Sequence, residues 1–87
     1  MKFMARIEIK LKKDLIDPES ETVRRSLVDL DFRVSDLRIS KYYEMGIEAD
    51  TRNDAETAAR LMCTRLLANP VKDEYRVEVE DAGSSES

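Results

Sequence analysis

Cys63 is the one thiol in the 87 residues, and thiolate chemistry would require a cation or a helix N-terminus beside it. The apolar positions around it, Ala55, Ala58, Ala59, Met62 and Leu66, instead place Cys63 in mid-helix. At about 100° per residue it lies roughly 80° from the centre of the apolar stripe, a half-buried packing position. The sequence has no His, which removes the usual base for such a thiol, every His-based triad and every His-ligated metal. A single Cys also rules out an internal disulfide and a Cys-cluster zinc site.

Carboxylates are the other abundant chemical group, among them Asp14, Asp17, Glu19, Glu21, Glu44, Glu48, Asp50, Asp54 and Glu56. The run Asp17-Pro18-Glu19-Ser20-Glu21 has the acid density of a calcium loop but not its alternating ligands or central Gly. Helix-start electrostatics account for it without a metal. The two glycines, Gly46 and Gly83, stand too far apart for a phosphate-binding loop or a dinucleotide fingerprint. The sequence therefore predicts no catalytic residue, cofactor site or metal site in this chain.

Lys10, Lys12, Lys13, Arg38 and Lys41, with Tyr42 among them, are the one grouping that could suit RNA on an open sheet face. The outward positions of the first strand, Met4, Arg6, Glu8 and Lys10, offer no aromatic pair for base stacking. A net charge of -4 argues against a nucleic-acid partner as well. No apolar run approaches the roughly 20 residues of a membrane span, and with charges recurring from Lys2 onward residues 1–6 do not read as a secretory h-region. The expectation is a soluble, cytoplasmic protein with neither nucleic acid nor membrane as partner.

The elements that carry these residues follow from periodicity. Ala5, Ile7, Ile9 and Leu11 alternate with Arg6, Glu8 and Lys10, which is a strand with one buried face. Asp17 caps a helix with Pro18 at its first position; Val23, Leu27 and Leu30 continue it to about Asp31. A second helix starts near Asn53, with Glu56 completing a capping box, and ends at Asn69-Pro70. Tyr75, Val77 and Val79 alternate with Arg76, Glu78 and Glu80 in a last strand.

Residues 34–49 leave two arrangements open. They form either a hairpin looping through Ser40-Lys41-Tyr42 or one long bent strand shared across a dimer. The order is β-α-β-β-α-β, the α+β split-βαβ (ferredoxin-like) pattern with two helices on one face of an antiparallel sheet. Residues 1–80 make one domain, and the acidic, Ser-rich residues 81–87 are expected to be a disordered tail. Hydrophobic residues make up 41% of the chain and charged ones 39%, with no Trp, so the core is thin and a second subunit would complete it. Leu61 and Leu67 both point off the main apolar stripe, which is more apolar surface than one sheet contact needs.

Met62-Cys63, then Leu66-Leu67-Ala68-Asn69-Pro70-Val71 and Tyr75, resembles the signature of the PurS family. These are small subunits of phosphoribosylformylglycinamidine synthase, in purine biosynthesis. Leu11-Lys12, Leu15-Ile16-Asp17-Pro18, Val23, Leu27, Arg38, Lys41-Tyr42 and Glu48-Ala49 match in order, so the resemblance covers about residues 4–80. Family members usually carry Gly where this chain has Ser20 or Glu21, Asp31, and Ser40, which implies altered turns at Asp31 and Ser40.

The resemblance implies a non-catalytic subunit of a complex that uses ATP, Mg and glutamine. In that complex it would bridge the ATP-dependent synthetase large subunit and the glutaminase subunit, support ammonia transfer, and form a homodimer or higher oligomer. Lys41, Tyr42, Asn69 and Pro70 from the matched motifs, and Leu67 from its off-stripe position, are the candidate dimer or partner contacts. The alternatives from other classes are a ferredoxin-like small-molecule sensor or regulatory domain and an RNA-binding module.

Overall fold

The computed structural model describes residues 1–82; residues 83–87, the greater part of the expected tail, lie outside the described residues. Strand β1 (Lys2–Leu11) is the spine. Its alternation is realised in full: Phe3, Ala5, Ile7 and Ile9 are buried, and Met4, Arg6 and Glu8 sit between them on the other face. β2 (Ser40–Glu48) and β3 (Asp73–Asp81) pair with it antiparallel on either side, in the order β2-β1-β3. The register sets Ile7 between Tyr43 and Val77, and Ala5 between Met45 and Val79, so one face of the sheet is apolar from edge to edge.

Helix α2 (Arg52–Met62) covers that face above β1 and β3. Ala55 and Ala59 are fully buried, and the small side chains let the helix lie close to the strands. Its cap is Thr51, not Asn53: the hydroxyl of extended Thr51 accepts from the Asp54 N–H at 3.0 Å, which starts the helix at Arg52. The strand after it also runs further than expected. β3 includes Asp81, and the Ala82 N–H donates to the Lys2 carbonyl at 3.2 Å, which buries Ala82.

The α+β class stands, with two departures inside it. The described residues form three strands, because residues 34–39 enter no ladder and make neither the hairpin nor the long strand. Other partners hold that segment. The Arg38 guanidinium donates to the Leu11 carbonyl at 3.3 Å and the Lys13 carbonyl at 3.0 Å, and the Ile39 N–H donates to Ser20 Oγ at 3.2 Å. β2 is left as an edge strand. Since the Ala49 N–H donates to the Met1 carbonyl, alternation turns the even-numbered backbone groups of β2 away from β1, toward the open edge.

The second departure is helix α1 (Pro18–Asp29), which does not lie on the sheet. None of its residues joins the hydrophobic core, and Ser20 is its one buried side chain. Asp17 fixes its start, accepting from the Glu19 N–H and from Ser20 Oγ. Its end is a Schellman turn: the Phe32 N–H donates to the Leu27 carbonyl and the Asp31 N–H to the Val28 carbonyl. Asp31 occupies the left-handed position of that turn, at φ 74°. The detached helix gives the chain a radius of gyration of 16.7 Å, against about 12 Å for a compact chain of this length.

Candidate functional site

Behind Met62 the chain widens into a π-helical turn, Cys63–Leu67, closed by the Ala68 N–H donating to the Cys63 carbonyl at 2.8 Å. One extra residue in the turn rotates everything after it by about 100°. Leu66, on the apolar stripe of a regular helix, is thrown outward and is 82% exposed. Leu67 swings inward and packs against the core. Cys63 falls at the pivot and is fully buried, not half-buried as its angular position predicted. Burial pushes its thiol pKa up, and only Arg60 opposes this, so the group is a packing element and a poor nucleophile.

Asn69 and Pro70 then build the turn into β3. Asn69 Oδ1 accepts from the Val71 N–H, its own N–H donates to Asp73 Oδ2 at 2.9 Å, and its carbonyl accepts from the N–H groups of Lys72 and Asp73. The Pro70 carbonyl accepts from Lys12 Nζ at 3.0 Å. A backbone bond from the Lys12 N–H to the Lys72 carbonyl fastens the same two loops together. Loop 12–17 and turn 69–72 thus form one surface at the end of the sheet.

The five candidate contact residues do not gather in one place. Lys41 stands on the helix side of β2 at this end, opposite Ile9, beside a depression also lined by Asp17, Leu67 and Lys72. Asn69 and Pro70 lie at the same end. Tyr42, the next residue in the strand, projects from the opposite face, where its hydroxyl donates to Glu44 Oε2 at 3.3 Å; desolvation and that carboxylate raise its pKa. The Tyr42 face is a charge ladder: Arg6 bridges Glu44 at 3.5 Å and Glu80 at 3.1 Å, and Arg76 meets Glu8 at 3.8 Å.

Sequence reasoning missed the residues most exposed here. Ile16, Leu66 and Val71 are 84%, 82% and 80% exposed, and Leu30 and Phe32 stand out at the far end of α1. Ile16 did carry a signal, being an apolar residue in a loop between two periodic segments; Leu66 did not, because the π turn is invisible to a helical wheel. Among the described residues no three His, Cys, Asp or Glu side chains gather as a metal would need, and no helix is long and apolar enough to cross a membrane. The apolar and charged surfaces of this site can bind another protein.

A small α+β chain whose apolar surface exceeds what its own fold covers belongs to the class of assembly subunits. Which assembly is shown by its relatives. Residues 4–81 match the PurS family, described as phosphoribosylformylglycinamidine (FGAM) synthase, and the chain belongs to that family. The PurS subunit of this synthase from Bacillus subtilis is 36% identical over 80 residues, covering 91% of this chain and 94% of its own. That from Archaeoglobus fulgidus is 39% identical over 75 residues, covering 85% and 94%. A chain of the Thermotoga maritima PurLQS structure superposes with a TM-score of 0.83 at 30% identity, covering 92% of this chain and 99% of that one. This chain is accordingly a subunit of FGAM synthase, a ligase of purine biosynthesis.

Proposed function

We propose that the chain is the non-catalytic bridging subunit of the synthase, working as a homodimer that holds the synthetase large subunit and the glutaminase together while ammonia passes from one to the other. The observation that carries this is the α1 arm. A helix with apolar Val23 and Leu27, capped by Leu30, stands clear of its own sheet, and α2 packs on β1 and β3, leaving Tyr43 and Met45 of β2 only half-buried. Isolated helices of this length are marginal in water, so α1 needs a surface to pack on. A second copy supplies one. ATP and Mg belong to the large subunit in this reading, and the present chain contributes area and shape.

The test is reconstitution of FGAM synthesis from large subunit and glutaminase, with and without this chain, with ammonia as the alternative nitrogen donor. Glutamine-dependent turnover is expected to require the chain, ammonia-dependent turnover less so, and the chain to elute with both partners. Glutamine-dependent turnover indifferent to the chain would overturn the bridging role. Light scattering on the free protein is expected to give twice the 10.0 kDa chain mass.

A further inference from the structure

The charges of the chain are sorted by end, although its net charge of -4 hides this. Where β1 finishes and β2 and β3 begin, the loops and strand ends carry Lys12, Lys13, Arg38, Lys41, Arg65 and Lys72 against Asp14, Asp17, Glu19 and Asp73. Two of those carboxylates are already engaged, Asp17 in capping α1 and Asp73 with the Asn69 N–H. The opposite end has Glu48, Asp50, Asp54, Glu56, Glu80 and Asp81 against Lys2 and Arg52.

The basic end also holds the most exposed large apolar side chains of the described residues, Ile16, Leu66 and Val71. Their neighbours Asp17, Leu67 and Lys72 line one depression, and a cleft of about 240 Å³ beside it runs between Leu15-Ile16 and Leu37-Arg38-Ile39. The base under these residues is firm. Lys12 is bonded to both Pro70 and Lys72, and Arg38 to both Leu11 and Lys13. A surface with protruding apolar groups, a rigid base and an excess of basic over acidic side chains around it has the composition of an interface core with a steering rim.

We propose that this end of the sheet docks an acidic protein surface, with Leu66, Val71 and Ile16 as the anchors and the surrounding lysines and arginines as the rim. The inference rests on the bridging role and assigns a face to one of its two heterologous contacts. A second copy is the poorer occupant. An isologous contact would set the basic end against itself, and a head-to-tail contact of basic on acidic end would give rings or chains of subunits, not a two-fold homodimer. RNA is also disfavoured, because three aliphatic anchors offer no base-stacking platform.

Leu66→Asp with Val71→Asp tests the anchors, and Lys41→Gln with Lys72→Gln tests the rim; none of these side chains is buried. Each protein is titrated against the purified large subunit and the purified glutaminase at low and high salt, alongside light scattering of the free protein and retention on an RNA column. The anchor variant is expected to keep its homodimer mass and lose at least tenfold in affinity for one of the two subunits. The rim variant is expected to bind that same subunit more weakly, with a shallower salt dependence.

If wild type binds both subunits and both variants bind them equally well, this surface is wrong while the bridging role survives. If the anchor variant becomes monomeric, or if wild type forms chains that it abolishes, the surface is a self-contact and the proposal fails. Retention on RNA that only the rim variant loses makes the end a nucleic-acid site instead. If wild type binds neither subunit, the bridging role falls and takes this proposal with it.

Discussion

Asp31 carries the one positive φ of a non-Gly residue among the described residues, in a turn where Gly is the usual choice. An L-residue there is strained, less so for Asp than for most. Asp31→Gly is expected to stabilise the protein by about 0.5–1 kcal/mol, a rise of a few degrees in melting temperature. Both proteins must be compared at one concentration, because the folded species is an oligomer in this reading. Glu21 is the other residue with a specific consequence. Arg24 donates to it at 2.6 Å and holds its carboxyl below the ordinary glutamate range. A depressed carboxyl stabilises the folded state above its unfolded pKa, and that contribution fades as pH falls through the folded pKa. Denaturation midpoints of wild type and Glu21→Gln are therefore expected to differ at pH 7 and to converge in acid, once the carboxyl is protonated in the folded state as well; a difference that persists there would assign it to the helix start instead.

The π turn decides which of two adjacent leucines faces the core. Leu67→Ala is expected to cost about 1–2 kcal/mol, and Leu66→Ala less than about 0.5 kcal/mol, in urea denaturation. A regular helix would reverse the order. This is also where the limit of the sequence shows most clearly. The alternation of β1 and the Asp17-Pro18 cap could be read directly, because each depends on neighbours two to four residues away. The small stripe Ala55, Ala58 and Ala59 likewise located the sheet-facing side of α2. The π turn depends on one residue too many in the last turn of a helix, which leaves the composition of the stripe unchanged. The fate of residues 34–39 depends on Arg38 and Ser20 finding partners about two dozen and two dozen less five residues away, a long-range match that periodicity does not encode. Of the proposed docking surface, the Leu66–Val71 motif pointed to the turn that carries two of its anchors, but the sequence does not say which of its side chains point outward.

At the scale of the whole molecule the question is what α1 is for. The core is complete without it: α2 and the three strands contain every buried apolar residue except Cys63 and Ala68, in and just after the π turn, and Ala82, which follows β3. α1 is tied back to the chain by Ser20 and by segment 34–39, and it ends in Leu30 and Phe32, which are 67% and 58% exposed. A monomer would leave that surface in water at roughly 25 cal/mol for each Å² of apolar area, with nothing to offset it. Replacing Leu30 and Phe32 by Glu leaves the sheet and α2 untouched, so circular dichroism is expected to show a folded protein. Light scattering is expected to show the mass falling from twice the 10.0 kDa chain to once. A variant that stays dimeric would move the self-contact to the open edge of β2, where the backbone groups of Tyr42, Glu44 and Gly46 face outward along the strand. Proline at Glu44 then separates the two surfaces: it removes an outward N–H without altering the β1 ladder, and it weakens the dimer only if strands pair across that edge.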